Sequence, residues 1–296
     1  MQVNHFVEPS IIYQLRNKKD ESHILWPNVL VTAKTKKYYK QVPESAFSIF
    51  SNVKGNAIIN IEGQKKRICE ETFMLVNPFQ NFEYEIQEEV NSVNVHFEWD
   101  FFQQACNTLL YSDKKLLESQ QLETHADLVI NQLHFKDPVI KQVLTNYSKK
   151  DETDFFLNLI EALLQRDQIL KKKLIKVSSK KQSTKKELLK RMLLAKDILF
   201  SSYDNANFNI NQLSEAVAMS HFHFLRVFKE VFGITPGKML KYVRMERTKF
   251  LLENTDMPIN EIALQVGFEE SNSLYPILKQ QLKITPNRYR EISNFQ

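Results

Sequence analysis

Ile210 to Met219 reads I-N-Q-L-S-E-A-V-A-M, followed by H-F-L-R-V-F-K from His223 and G-I-T-P from Gly233. The chain then repeats itself: I-N-E-I-A-L-Q-V-G-F from Ile259, S-L-Y-P-I-L-K from Ser273 and K-I-T-P from Lys283. Ile210, Leu213 and Val217 pair with Ile259, Ile262 and Val266 at an offset of 49, and Thr235-Pro236 with Thr285-Pro286 at 50. The added residue falls between Met219 and Phe228, where a loop belongs. In each copy two apolar residues four apart share a helix face. A break follows at Ala218-Met219 and at Gly267-Phe268, where the backbone has to turn sharply between two helices. Ser220 and Ser271 are the caps expected for the next helices. Phe224, Val227 and Phe228 face inward in the first copy, Leu274 and Leu278 in the second. This is the grammar of a helix-turn-helix, whose second helix lies in a DNA major groove.

The linked motifs S-x-F-H-F-x-R-V-F-K-E-x-F-G-x-T-P-G, R-M-E-R-x-K-x-L-L, I-x-E-I-A-x-x-V-G-F-E and K-x-T-P-x-x-Y-R closely resemble the AraC/XylS transcription regulators. The resemblance is strong from Glu187 to Arg290, and elsewhere rests on architecture alone. It implies an α+β chain: an N-terminal cupin-like β-barrel (jelly roll), a helical linker, and a C-terminal all-α domain of two helix-turn-helix units joined by a long helix. The expected boundaries are 1–110, 111–183 and 184–292. Double-stranded DNA and RNA polymerase are the implied partners, with a small-molecule effector and a homodimer as further expectations. An activator rather than a repressor is implied by the resemblance alone.

The rest of the chain agrees with two cores. It has 296 residues, 43% of them hydrophobic. Two cysteines, Cys69 and Cys106, fit a reducing compartment and provide no disulfide framework. No apolar run approaches the roughly 18 residues of a membrane span, and a cytoplasmic protein is expected. The five glycines fall beside a strand or at helix junctions, leaving none for a phosphate-cradling loop. The net charge of +5 is uneven: residues 171–296 carry 22 Lys and Arg against 12 Asp and Glu. Eight of those lysines lie between Lys171 and Lys186, in a stretch that reads as a solvated tether up to Ser183. Thr184, three residues before Glu187, is the capping-box opening expected for the next helix.

From about Ile24 to Phe97 the pattern is β, with a hairpin turn at Gly63 and strict alternation in S-V-N-V-H-F. Val93, Val95 and Phe97 share one face, Asn94 and His96 the other. His23 and His96 are too isolated to converge on a metal, so no metal or cofactor is expected. Phe47, Phe73, Phe82, Tyr84 and Trp99 are the aromatics available to line an effector pocket. After Asp100 the pattern is helical. Asp137-Pro138 and Asp151 start helices, the second carrying the stripe Phe155, Phe156, Leu159, Ile160, Leu163 and Leu164. That stripe has two readings, packing on the barrel or a dimer seam.

On the first recognition helix, His221, Phe222, Leu225 and Arg226 face outward. Arginine bonds guanine in bidentate fashion, and Phe or Leu meets a thymine methyl. The corresponding group in the second copy is Ser271, Asn272, Ser273 and Tyr275. Pro276 interrupts it, Leu278 replaces the family's usual phenylalanine and Lys283 its usual glycine, so the first unit is expected to read bases and the second mainly to position. His223, Lys229, Lys238, Lys241, Arg244, Lys279 and Arg288 are the candidate DNA-backbone contacts. The competing readings are a cupin-type enzyme with a helical appendage and an interaction protein with a degenerate DNA-binding unit.

Overall fold

The computed structural model describes residues 27–110, 131–147, 151–175, 182–270 and 273–293. The chain divides into two compact units, residues 1–172 and 173–296.

The first unit holds nine described strands: β1 (Val29–Thr35), β2 (Tyr38–Val42), β3 (Phe47–Lys54), β4 (Ala57–Ile61), β5 (Gln64–Ile68), β6 (Thr72–Val76), β7 (Phe82–Ile86), β8 (Val90–Phe97) and β9 (Leu133–Phe135). They form two antiparallel sheets, in the orders β1-β8-β3-β6-β9 and β2-β7-β4-β5. Eight strands interleaved in this way are a jelly roll, as the resemblance implied. The turn between β4 and β5 has positive φ at both Glu62 and Gly63, the geometry of a two-residue hairpin whose twist matches its strands.

The larger sheet is buried on both faces. Leu30, Phe47, Ile49, Phe73, Val93, Val95 and Phe97 point outward onto helices α1 (Trp99–Leu110), α2 (Pro138–Thr145) and α3 (Glu152–Ile175). Their alternate neighbours point toward the smaller sheet. Asp137 caps α2 by accepting from the Ile140 amide at 3.0 Å, with Pro138 in the first turn. Asp151 accepts from Thr153 at the start of α3 at 2.9 Å.

The structure departs from the sequence expectations at several places. The chain does not stay helical after Asp100: β9 pairs with β6, Phe135 opposite Thr72. Three residues are too few to show a period, and the pairing is distant in sequence. Of the two readings of the α3 stripe from Phe155 to Leu164, packing is the one observed: those side chains are buried in the same core as the barrel. Accordingly the helices within 131–172 belong to the barrel's unit rather than to a separate 111–183 region. The tether is also shorter than read: α3 runs to Ile175 and α4 (Gln182–Ser201) opens two residues before Thr184, which is therefore not its cap. Residues 176–181 lie outside the described set.

The second unit continues with α5 (Ile210–Ala216), α6 (His221–Phe232), α7 (Pro236–Asn254), α8 (Ile259–Gln265), α9 (Leu274–Leu282) and α10 (Pro286–Ser293). Asn209 and Gln212 form a reciprocal capping box at α5. Thr235 caps α7, with Pro236 at its first position. Phe224, Val227 and Phe228 are buried under α6; truncating either phenylalanine costs about 3–5 kcal/mol. Ile262, Val266, Leu274 and Leu278 form the equivalent core of the second copy.

Candidate functional site

The outer stripe of α6 is what its buried stripe leaves over. With Phe224, Val227, Phe228 and Val231 inward, positions 222, 225, 226 and 229 line the opposite face. Phe222 is 86% exposed in the first turn. Arg226 and Lys229 are exposed and Leu225 half-buried. His223 is exposed, while His221 is half-buried, with a buried Nδ1 lacking a hydrogen bond. Ser220 sits at the N-cap without a side-chain cap bond, leaving the first-turn amides open to an anion. The structure thus brings the four expected base-reading residues of the first unit onto one end of one helix.

The second unit differs. Ser271 and Asn272 lie outside the described residues. Helix α9 is described over Leu274–Leu282, 9 residues, with Ser273 before it already in the right-handed helical region; α6 has 12 residues. Ser273 and Tyr275 are exposed at its start. Pro276 falls in the first turn, where its missing amide had no helical partner to lose.

Among the cationic candidates, Lys238, Lys241 and Lys279 are exposed. Arg288 is exposed and paired with Glu291 at 2.9 Å, an arrangement weak enough to exchange for a phosphate. Arg244 is corrected. Its Nε donates to the Tyr203 carbonyl at 2.7 Å and its guanidinium also reaches the Asn205 carbonyl at 3.1 Å. The guanidinium lies over the Phe268 ring, and burial pushes its pKa down. It is a brace and not a free cation. Arg191, bonded to the Val217 and Ala218 carbonyls, and Arg290, bonded to those of Leu252 and Met257, do similar work. Composition counts such arginines as available charge; only the fold shows them spent on carbonyls.

The first unit holds a second candidate site, a cavity of about 160 Å³ between its two sheets. Phe82 and Tyr84 line it as expected. Phe47, Phe73 and Trp99 do not. Phe47 packs with Trp99 and Phe102 on the helix-facing side, and Phe73 stacks on His134 beneath Arg166. Strand parity explains the split, because a doubly covered sheet sends alternate residues into different cores. Lys40, Phe50, Ser92, Asn94 and His96 line the cavity and were not among the pocket candidates. The alternation of Ser92, Asn94 and His96 was the available signal. His96 is hydrogen-bonded, its Nδ1 2.8 Å from the Ser48 hydroxyl. Burial, with Lys40 nearby, pushes its pKa down to about 4.

Two linked helix-turn-helix units define the class, a domain built to lie along duplex DNA. Residues 213–292 match the family described as "Helix-turn-helix domain". An uncharacterised HTH-type transcriptional regulator of Haemophilus influenzae is 32% identical over 85 residues, 29% of this chain and 28% of that protein. The melibiose operon regulatory protein of Escherichia coli K12 is 29% identical over 92 residues, 31% of this chain and 30% of that protein. The C-terminal domain of the two-component response regulator yesN from Fusobacterium nucleatum is 38% identical, with a TM-score of 0.32, covering 33% of this chain and 94% of that one. The C-terminal segment is thus a helix-turn-helix domain of the AraC type, and the relatives named are regulators rather than enzymes. The chain spans less than a third of the length of these two curated relatives.

Proposed function

We propose that this protein is a sequence-specific transcription regulator that binds successive major grooves of duplex DNA through its C-terminal unit. The observation that carries the reading is the exposed first turn of α6. A phenylalanine 86% exposed, beside Leu225 and Arg226, is a solubility penalty on a free surface and a contact surface in a groove. Helix α7, 19 residues capped by Thr235, links the two units and sets their spacing. Arg226 reads a base, with Phe222 and Leu225 against thymine methyl groups. His221 borders this surface. His223, Lys229, Lys238, Lys241, Lys279 and Arg288 supply backbone contacts. Ser273 and Tyr275, with Ser271 and Asn272, approach DNA in the second unit.

The barrel unit controls this activity, with the inter-sheet cavity as effector site. Activation through RNA polymerase, a homodimer and a cytoplasmic location complete the proposal. No helix among the described residues is long and apolar enough to cross a membrane. The test is selection of binding sites from random duplex DNA by the full chain. A motif spanning about two helical turns is expected. Binding without enrichment, fading only as salt rises, would overturn sequence-specific recognition and favour a degenerate unit.

A further inference from the structure

The inner face of β8 is polar where a sandwich core is ordinarily apolar. Ser92, Asn94 and His96 all point into the cavity between the sheets. Most of the polar groups there are taken up by the fold. The Ser48 hydroxyl donates to the Ala46 carbonyl at 2.9 Å and lies 2.8 Å from His96 Nδ1. The Ser92 hydroxyl donates to the Ala33 carbonyl at 3.4 Å, and Asn94 Oδ1 accepts from the Ser51 amide at 3.3 Å. The Tyr84 hydroxyl is different. Tyr84 is 7% exposed, and its hydroxyl oxygen is buried with no hydrogen bond of good geometry among the described residues. The Asn94 side chain beside it favours the phenolate and so faces it as a donor. The proton of the phenol still lacks an acceptor.

Charge narrows the occupant. The Lys40 ammonium on the wall already has a partner, so it does not call for an anion. Burial, with Lys40 nearby, keeps His96 neutral at pH 7. No carboxylate lines the cavity among the described residues, so a cationic ligand would go unpaired. An uncharged molecule remains. The cavity is half open to solvent, and its volume of about 160 Å³ limits only the part of a ligand that is covered. That part is about one ring, since an engineered cavity of roughly 150 Å³ holds benzene. Phe50 packs against Phe82, Tyr84 and His96 and gives the covered part an aromatic wall.

We propose that the cavity binds a small uncharged carbonyl compound, its oxygen accepting from the Tyr84 hydroxyl and its apolar ring or short chain against Phe50 and Phe82. This rests on the reading of the barrel as the effector-binding unit and gives the effector a chemical class.

The test is titration calorimetry of the full chain at pH 7 with acetophenone, cyclohexanone and methyl benzoate, beside ethylbenzene, which has no oxygen, and benzoate, which is charged. At least one carbonyl compound binds one to one, and benzoate binds more weakly. Tyr84→Phe weakens that compound about three- to tenfold and leaves ethylbenzene unaffected. Ligand-free Tyr84→Phe melts at or above the wild-type temperature, because the hydroxyl it removes has no partner in the fold. No carbonyl compound binding, benzoate binding tightest, or carbonyl binding indifferent to Tyr84→Phe would each overturn the proposal. So would a Tyr84→Phe chain that melts well below wild type, since the hydroxyl would then be engaged within the fold. DNA-site selection run on the same preparation separates the readings. A recovered motif without carbonyl binding sinks the ligand class alone, and carbonyl binding without a motif sinks the DNA reading alone. Carbonyl binding that leaves affinity for the recovered motif unchanged sinks control by the barrel and keeps the site.

Discussion

The two helix-turn-helix units share a sequence pattern and solve the same corner differently. In the first, Ala218 takes the turn with φ 51, and Arg191 bonds the Val217 and Ala218 carbonyls. In the second, Gly267 takes it with φ 89, and a Cβ there would meet the Tyr203 carbonyl oxygen at 2.4 Å. The recognition helices then end alike in geometry and unlike in chemistry: Gly233 is left-handed after α6, and Lys283 is left-handed after α9. Near their starts, α6 carries the exposed Phe222, while α9 (Leu274–Leu282) carries a proline at Pro276. The lesson is that a repeat conserves the buried stripe, which both copies need. The exposed end and the caps are free to diverge, and there the units take separate roles.

The largest effect that would break this comparison is at the corner. Gly267→Ala should lower the stability of the second unit by about 3 kcal/mol or more, through a backbone clash and an unfavourable φ. Ala218→Gly should be neutral or stabilising by up to about 1 kcal/mol. Urea unfolding of both variants checks the pair, and equal effects would mean that the corners are equivalent.

Next comes the division of labour on DNA. Arg226→Ala should weaken the preferred site by about 1–3 kcal/mol and relax one position. Tyr275→Ala should lower affinity by a similar factor on all sequences. Competition binding on a set of single-base variants distinguishes the patterns. Smaller again is the helix end, where Lys283→Gly should stabilise by roughly 0.5–1 kcal/mol by relieving a left-handed lysine. A melting curve shows it. Smallest is Pro276→Ala, expected within about 0.5 kcal/mol because the amide it restores lies in the first turn. If that change instead gave the second unit base preference, the proline would be what keeps that helix from reading bases.

Much of this was legible in the sequence, for identifiable reasons. Leu213, Val217, Phe224 and Phe228 announced the first unit because helical spacing and burial coincide. The hairpin turn at Gly63 and the strict alternation of β8 announced the barrel, the alternation for the same reason in period two. What failed to show was whatever depends on a partner distant in the chain. Arg244 looks like any surface arginine until Tyr203 and Asn205 are placed against it. Phe47 and Phe82 look equally suited to a pocket until strand parity and the helical cover assign them to different cores. Leu133 to Phe135 has no period to read, and only β6 makes it a strand. The polar run Ser92, Asn94, His96 was visible, but its direction was not, since either face of a strand can be the wet one.

The measurement that bears most directly on the asymmetry of the two units is base-by-base affinity on a selected operator, for wild type, Arg226→Ala and Tyr275→Ala in the full chain. The account predicts that Arg226→Ala flattens preference at one position within the first unit's groove, while Tyr275→Ala leaves every preference in place and lowers affinity uniformly. Loss of base preference with Tyr275→Ala, and none with Arg226→Ala, would contradict it.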